Sequence, residues 1–195
     1  MPHESAFSIP AGRKTAQTLI AYVEDQPGTL NRIVSLFRRR GFNIESLTVG
    51  RTEREGISRI TVVVRADDET ARRLEANLYK LFNVLSVEDV THAPSVTREM
   101  AFVKVRAAQD RRAELLQLVQ TFRARVVDLG PESVIVETTG TQEKLDGLVE
   151  VLRPFGIIEL VRTGAVAMLR GPGAGAQNGA GARNGAAQAQ DGVAA

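Results

Sequence analysis

The order strand, helix, strand, strand, helix, strand occurs twice along this chain, and that repetition limits the available folds more than any other feature. Thr18 to Glu24 (TLIAYVE) is a short apolar run of strand type. A helix follows, with Leu30, Ile33, Val34 and Phe37 at i, i+3, i+4 and i+7; Pro27 suits its first position and Gly41 its end. Asn43 to Gly50 and Ile57 to Arg65 read as strands joined by the polar loop Arg51 to Gly56. A second helix places Ala71, Leu74, Leu78 and Leu81 on one face, and Val84 to Val90 closes the unit as a strand.

After a linker at His92 to Thr97 the order recurs. Ala101 to Arg106 is the strand, and Leu115, Leu118, Val119 and Phe122 mark the helix. Arg125 to Leu129 and Ser133 to Thr138 flank the turn residues Gly130-Pro131. A last helix carries Leu145, Leu148, Val149 and Leu152, before a strand near Ile157 to Val161. The fold class is therefore α+β: two tandem βαββαβ ferredoxin-like units, each an antiparallel sheet with two helices on one face. In Ile57 to Arg65 one face is apolar through Ile60, Val62 and Val64, yet Thr61 and Val63 on the other are not strongly polar. That second face needs cover, from within the chain or from a second copy, and an oligomer is favoured.

From Gly171 on, Gly and Ala make up sixteen of 25 residues, so 171–195 is expected to be a disordered tail and 1–15 a flexible leader. The 25 basic residues nearly balance the 23 acidic ones, which argues against bulk nucleic-acid binding. The chain has no cysteine and only two histidines, His3 and His92, which excludes thiolate chemistry, disulfides and a histidine metal cluster. No stretch approaches the roughly 18 apolar residues of a membrane span, and Met1 to Lys14 lacks a signal-peptide core. A cytoplasmic protein that engages neither membrane nor nucleic acid is expected.

The most informative segment is Glu24-Asp25-Gln26-Pro27-Gly28-Thr29-Leu30, where a strand gives way to a helix. Unpaired N–H groups and the positive end of the dipole suit a small carboxylate there, and Gly28 would let a ligand reach the backbone. Asp25 has two readings, a partner for an ammonium group or an ordinary helix cap with no ligand at all. The arginines Arg38-Arg39-Arg40 read as solvated cations at a helix C-terminus.

The runs VEDQPGTLNRIVSLFRRRGFNIESLTVG, SRITVVV and FRARVVDLGPESVIVETTGTQEKLDGLVEVLRPFGI resemble the small, regulatory subunits of acetolactate synthase (acetohydroxyacid synthase). The similarity spans about residues 16 to 171, and GFNIESLTVG is its most specific part. The first half, 16–92, resembles an ACT domain, the amino-acid-sensing βαββαβ module; 98–170 is the C-terminal ferredoxin-like domain. The resemblance implies a non-catalytic chain that binds no cofactor itself. Its partner would be the catalytic large subunit, holding thiamine diphosphate, Mg and FAD, which joins two pyruvates, or pyruvate and 2-oxobutyrate, in branched-chain amino-acid synthesis. The small subunit would raise that activity and confer feedback inhibition by valine. The alternative is an ACT-type sensor of a different enzyme.

Family ligand contacts carry over to Asp25, Gly28, Thr29, Leu30, Asn43 and Ile44, although some members have Asn at the Asp25 position. Backbone N–H groups of Gly28, Thr29 and Leu30 would hold the carboxylate, Asn43 would bind carboxylate and ammonium, and Ile44 would line the side-chain pocket. A helix of about 13 residues would separate Gly28 from Asn43 by about 20 Å, too far for one valine to touch both. Antiparallel pairing of Asn43 to Gly50 with its copy would bring them together across a homodimer, giving two sites, each built from both chains. The second unit opens its first helix with Ala107-Ala108-Gln109-Asp110-Arg111. Asp110 can cap there, but no glycine admits a ligand, and the resemblance gives this half a role in engaging the large subunit.

Overall fold

Hydrophobic alternation and helical periodicity together place the core of each unit between one sheet and one helix layer. The computed structural model describes residues 14–171, so the expected leader and tail lie almost wholly outside the described residues. The first unit comprises β1 (Thr15–Glu24), α1 (Thr29–Arg39), β2 (Ile44–Arg51), β3 (Ile57–Ala66), α2 (Asp68–Leu78) and β4 (Val84–Asp89). The second comprises β5 (Ser95–Arg106), α3 (Arg112–Thr121), β6 (Arg125–Leu129), β7 (Ser133–Gly140), α4 (Gln142–Leu152) and β8 (Ile157–Arg162), followed by β9 (Val166–Leu169). Strand order is β2-β3-β1-β4 in one sheet and β6-β7-β5-β8 in the other, all antiparallel, so the two units share one topology.

In the first unit Leu19, Ala21 and Val23 of β1 and Ile60, Val62 and Val64 of β3 meet Ile33, Leu36 and Phe37 of α1 and Leu74 and Leu78 of α2. The second repeats this with Val103 and Val105 of β5, Val134 and Val136 of β7, Leu115 and Val119 of α3, and Leu148 and Leu152 of α4. Helix α1 ends in a Schellman motif. Gly41 adopts φ 71° and donates its N–H to Arg38 C=O at 3.1 Å, while Phe42 N–H reaches Phe37 C=O at 3.0 Å. The accompanying apolar contact is an edge-to-face pair of the Phe37 and Phe42 rings, 6.5 Å between centroids. Helix α2 begins with an N-cap: the Asp67 carboxylate accepts the Thr70 N–H at 2.8 Å.

Several expectations need correction. Helix α1 starts at Thr29, with Gly28 rather than a helical Pro27 before it. Its buried face is Thr29, Ile33, Leu36 and Phe37, whereas Leu30 and Val34 stand 40% and 37% exposed. Asp110 does not cap α3; Arg111 occupies that position and makes no capping bond. The linker is shorter than His92 to Thr97, because β5 already begins at Ser95.

The extra strand β9 explains that early start. Ser95 to Arg98 of β5 pair with Val166 to Leu169, and the resulting two-stranded ribbon reaches over the open face of the first sheet. There Ala167 and Leu169 pack with Ile20, Tyr22 and Val90, and the Arg59 guanidinium donates to the Ala167 carbonyl. Ile20 and Thr61 on that face are each 1% exposed. The face that required cover is therefore covered by the chain itself. Among the described residues no helix is long and apolar enough to cross a membrane.

Candidate functional site

The β1–α1 turn is held by its own backbone. Asp25 N–H donates to Gly56 C=O at 2.8 Å, which ties the turn to the β2–β3 hairpin, and Thr29 N–H donates to Gln26 C=O at 3.2 Å. Gly28 takes φ 87° and ψ −9°, a left-handed conformation that a side chain with a Cβ pays for. A Cβ built there would meet nothing within 4 Å, so the space over the glycine is open. Of the three amides expected to receive a carboxylate, Thr29 N–H is engaged within the turn. Leu30 N–H lies in the first helical turn, where no intrahelical acceptor exists, and Gly28 C=O already accepts from Arg32 N–H at 3.1 Å. Thr29 itself is 5% exposed, and its buried hydroxyl has no hydrogen-bond partner.

Asp25 does not cap the helix. No side chain caps α1, and the Asp25 carboxylate lies 3.7 Å from Arg51 Nε, both groups well exposed. A solvated pair of this kind is worth about 0–1 kcal/mol. It edges a cavity of about 330 Å³ formed with Arg54, Glu55, Gly56 and Ile57, which includes none of Gly28, Asn43 or Ile44.

Asn43 is exposed and immediately precedes β2, the outer strand of its sheet. Ile44 pairs with Val64 and packs against the first core, half-buried. Eleven residues of α1, a rise of about 16 Å, separate the Gly28 end from the Asn43 end, so one chain does not bring the two together. The hydrogen-bonding edge of β2 has no strand neighbour among the described residues, and Leu30, Val34 and Val49 (44% exposed) lie on α1 and β2.

One residue that the sequence did not single out organises this region. Asn83, 5% exposed in the α2–β4 turn, donates its side-chain amide N–H to Glu24 Oε2 at 2.8 Å and accepts from Arg32 Nη1 at 2.8 Å. Its carbonyl accepts Glu24 N–H at 2.9 Å. Asn83 thus fixes the turn that carries Gly28 to the far turn of the same unit. A wider cleft of about 690 Å³ opens between the two units, where the pair Arg65–Glu45 (2.8 Å) faces Glu99 and Arg162. Burial raises the Glu99 carboxyl above its usual range.

Two βαββαβ units in tandem, the first with an open glycine turn at its strand–helix junction, define a class of paired ferredoxin-like chains with an N-terminal ACT domain. Residues 19–86 match the family described as AHAS small subunit-like ACT domain, and residues 98–171 match the small subunit of acetolactate synthase. The probable acetolactate synthase small subunit of Archaeoglobus fulgidus is 46% identical over 79% of this chain and 96% of its own length. The acetolactate synthase small subunit of Mycolicibacterium smegmatis is 48% identical over 80% of this chain and 91% of its own. The crystal structure of the acetolactate synthase small subunit from Thermotoga maritima superposes with a TM-score of 0.76 at 38% identity, covering 80% of this chain and 98% of that one. The chain belongs to the acetolactate synthase small subunit family.

Proposed function

We propose that this chain is the non-catalytic regulatory subunit that activates the acetolactate synthase catalytic subunit in the cytoplasm and makes it sensitive to valine. Thiamine diphosphate, Mg and FAD belong in this reading to the catalytic subunit, whose product feeds valine, leucine and isoleucine synthesis. The observation that carries the sensing role is the left-handed, unobstructed Gly28 at the start of α1. The valine carboxylate would approach there, against the free Leu30 N–H and the positive end of the helix dipole. Asn43 and Ile44 would come from a second chain. The open β2 edge beside exposed Leu30, Val34 and Val49 supports a homodimer in which two β2 strands pair antiparallel. In that dimer Asn43 of one protomer approaches Gly28 of its partner. Asp25 contributes charge near the turn from its pair with Arg51.

Thermal unfolding of the purified chain with each of the twenty amino acids tests the reading. At a concentration of 100 Kd, valine is expected to add about 2.7 kcal/mol per independent site, and Gly28→Asp and Asn43→Ala are each expected to abolish that gain. A chain that sediments as a monomer in the presence of valine, or a valine effect untouched by Asn43→Ala, would remove the two-chain site.

A further inference from the structure

Strand β2 has a break in its pairing at the point where the proposed ligand site ends. Ile44 lies opposite Val64, yet Ser46 lies opposite Val63, so Glu45 bulges out of the ladder. A bulge re-aims the residues on either side of it, and an outer strand is held from one side only. Past the bulge, Ser46 and Thr48 share the open face of the sheet with Val63 and Thr61.

Against that face rests the turn between β8 and β9. Ser46 Oγ accepts the Ala165 N–H at 2.7 Å. A Cβ added to Gly164 would fall 2.5 Å from Thr48 Oγ1, 2.8 Å from Ser46 Oγ and 2.9 Å from Leu47 C=O. Glycine is required here by close approach and not by conformation, and the contact has no slack. The turn is equally tied to the second unit. Thr163 N–H donates to Met100 C=O at 2.9 Å, and Met100 N–H donates to Thr163 Oγ1 at 3.0 Å. On either side of it, Arg162 and Val166 pair with Ala101 and Arg98 of β5.

We infer that Ser46 and Gly164 are positioning residues that carry valine occupancy from the end of β2 into the second unit. The inference rests on the proposed valine site. Ligand held at Asn43–Ile44 fixes the end of β2 before the bulge. Ser46 lies two residues beyond Ile44, about 7 Å along a strand. A shift there displaces Ala165 and Gly164 directly, because close-packed contacts transmit strain and do not absorb it. The β8–β9 turn then moves with β5, the central strand to which β7 and β8 both pair. Valine at the first unit is read in this way by a unit that does not touch it.

The test uses the full chain with the catalytic subunit from the same source, comparing wild type with Ser46→Ala and Gly164→Ala. Ser46→Ala removes one acceptor and no volume the fold needs, so it is the milder variant. Two quantities are read for each protein: the rise in melting temperature with valine, and the ratio of acetolactate synthase activity without and with valine. Linkage of this kind typically gives an effect of about 5- to 150-fold. The expected result is an undiminished valine-induced rise in melting temperature, with the activity ratio falling towards one in both variants. Full inhibition in both variants overturns the inference. Loss of the melting-temperature response also overturns it, by placing Ser46 and Gly164 in the ligand site itself. Wild type without either response sinks the proposed function and this inference together, an outcome distinct from the other two.

Discussion

The two units share a topology but finish their sheets differently. The open face of the first is closed by the β5–β9 ribbon, with Ile20 and Thr61 each 1% exposed beneath it. The corresponding face of the second leaves Phe102 36% and Val161 52% exposed, and every residue of its outer strand β6 is exposed. They also tie their ends differently. The first joins its β1–α1 and α2–β4 turns through buried Asn83. The second joins the equivalent turns through the Arg111 guanidinium, which lies 4.2 Å from the Phe155 ring centroid and donates to Pro154 C=O at 3.2 Å. One topology is thus finished in two ways: a unit closed and braced around a glycine turn, and a unit that keeps apolar surface exposed.

The largest expected effect tests the closed face. Ala167→Asp places an unpaired charge at a residue 2% exposed and is expected to cost about 3–5 kcal/mol. Val161→Asp on the uncovered face is expected to cost less than about 1 kcal/mol. Urea unfolding of both variants decides, and equal losses would break the contrast. Next comes the ligand. Gly28→Asp is expected to remove the valine stabilisation of about 2.7 kcal/mol at 100 Kd, whereas Ala108→Asp, at the equivalent turn of the second unit, should leave it intact. A smaller difference is expected between the two braces. Asn83→Ala leaves the half-buried Glu24 carboxylate and the exposed Arg32 guanidinium without their Asn83 partner and should cost about 1–3 kcal/mol, while Arg111→Ala should cost about 0.5–1 kcal/mol for its partly exposed cation–π contact.

Most of the architecture was legible because the apolar periods are regular: most residues that the helix and strand patterns mark lie in the two cores, with Leu30, Val34 and Leu118 outside them. The orientation of α1 was not. Its apolar residues, Leu30, Ile33, Val34, Leu36 and Phe37, span more than one face, and the orientation adopted turns polar Thr29 inward and Leu30 and Val34 outward. That surplus of apolar residues, wider than the core needs, is the part of the pattern that points to a further contact. Strand β9 escaped notice because it has only four residues, and Ser95 to Arg98 are extended only because β9 pairs with them. Asn83 gave no local sign, since Glu24 and Arg32 lie 59 and 51 positions away. The turn residues of the candidate site were visible as a motif. That Asp25 pairs with Arg51 follows from the β2–β3 hairpin folding back onto the turn, a contact set by tertiary structure.

The smallest expected effect separates the units by pH. The Thr70 N–H holds the Asp67 carboxyl below the ordinary aspartate range, so the folded first unit favours the charged form. That contribution is complete above the unfolded value, about 3.9, and is lost as pH falls through the lower folded value. Glu99 of β5 behaves in the opposite sense. Desolvation raises its folded value, so its contribution is present below the unfolded glutamate value, about 4.3, and is lost as pH rises through the folded one. Asp67→Asn is therefore expected to lower the melting temperature at pH 7 and to converge on wild type as pH falls below about 4. Glu99→Gln should raise it at pH 7, with the gain disappearing on acidification. Melting temperatures of the three proteins between about pH 3 and pH 7 check both slopes. Parallel curves for all three would show that neither carboxyl distinguishes folded from unfolded chain, and would remove the electrostatic part of the difference between the units.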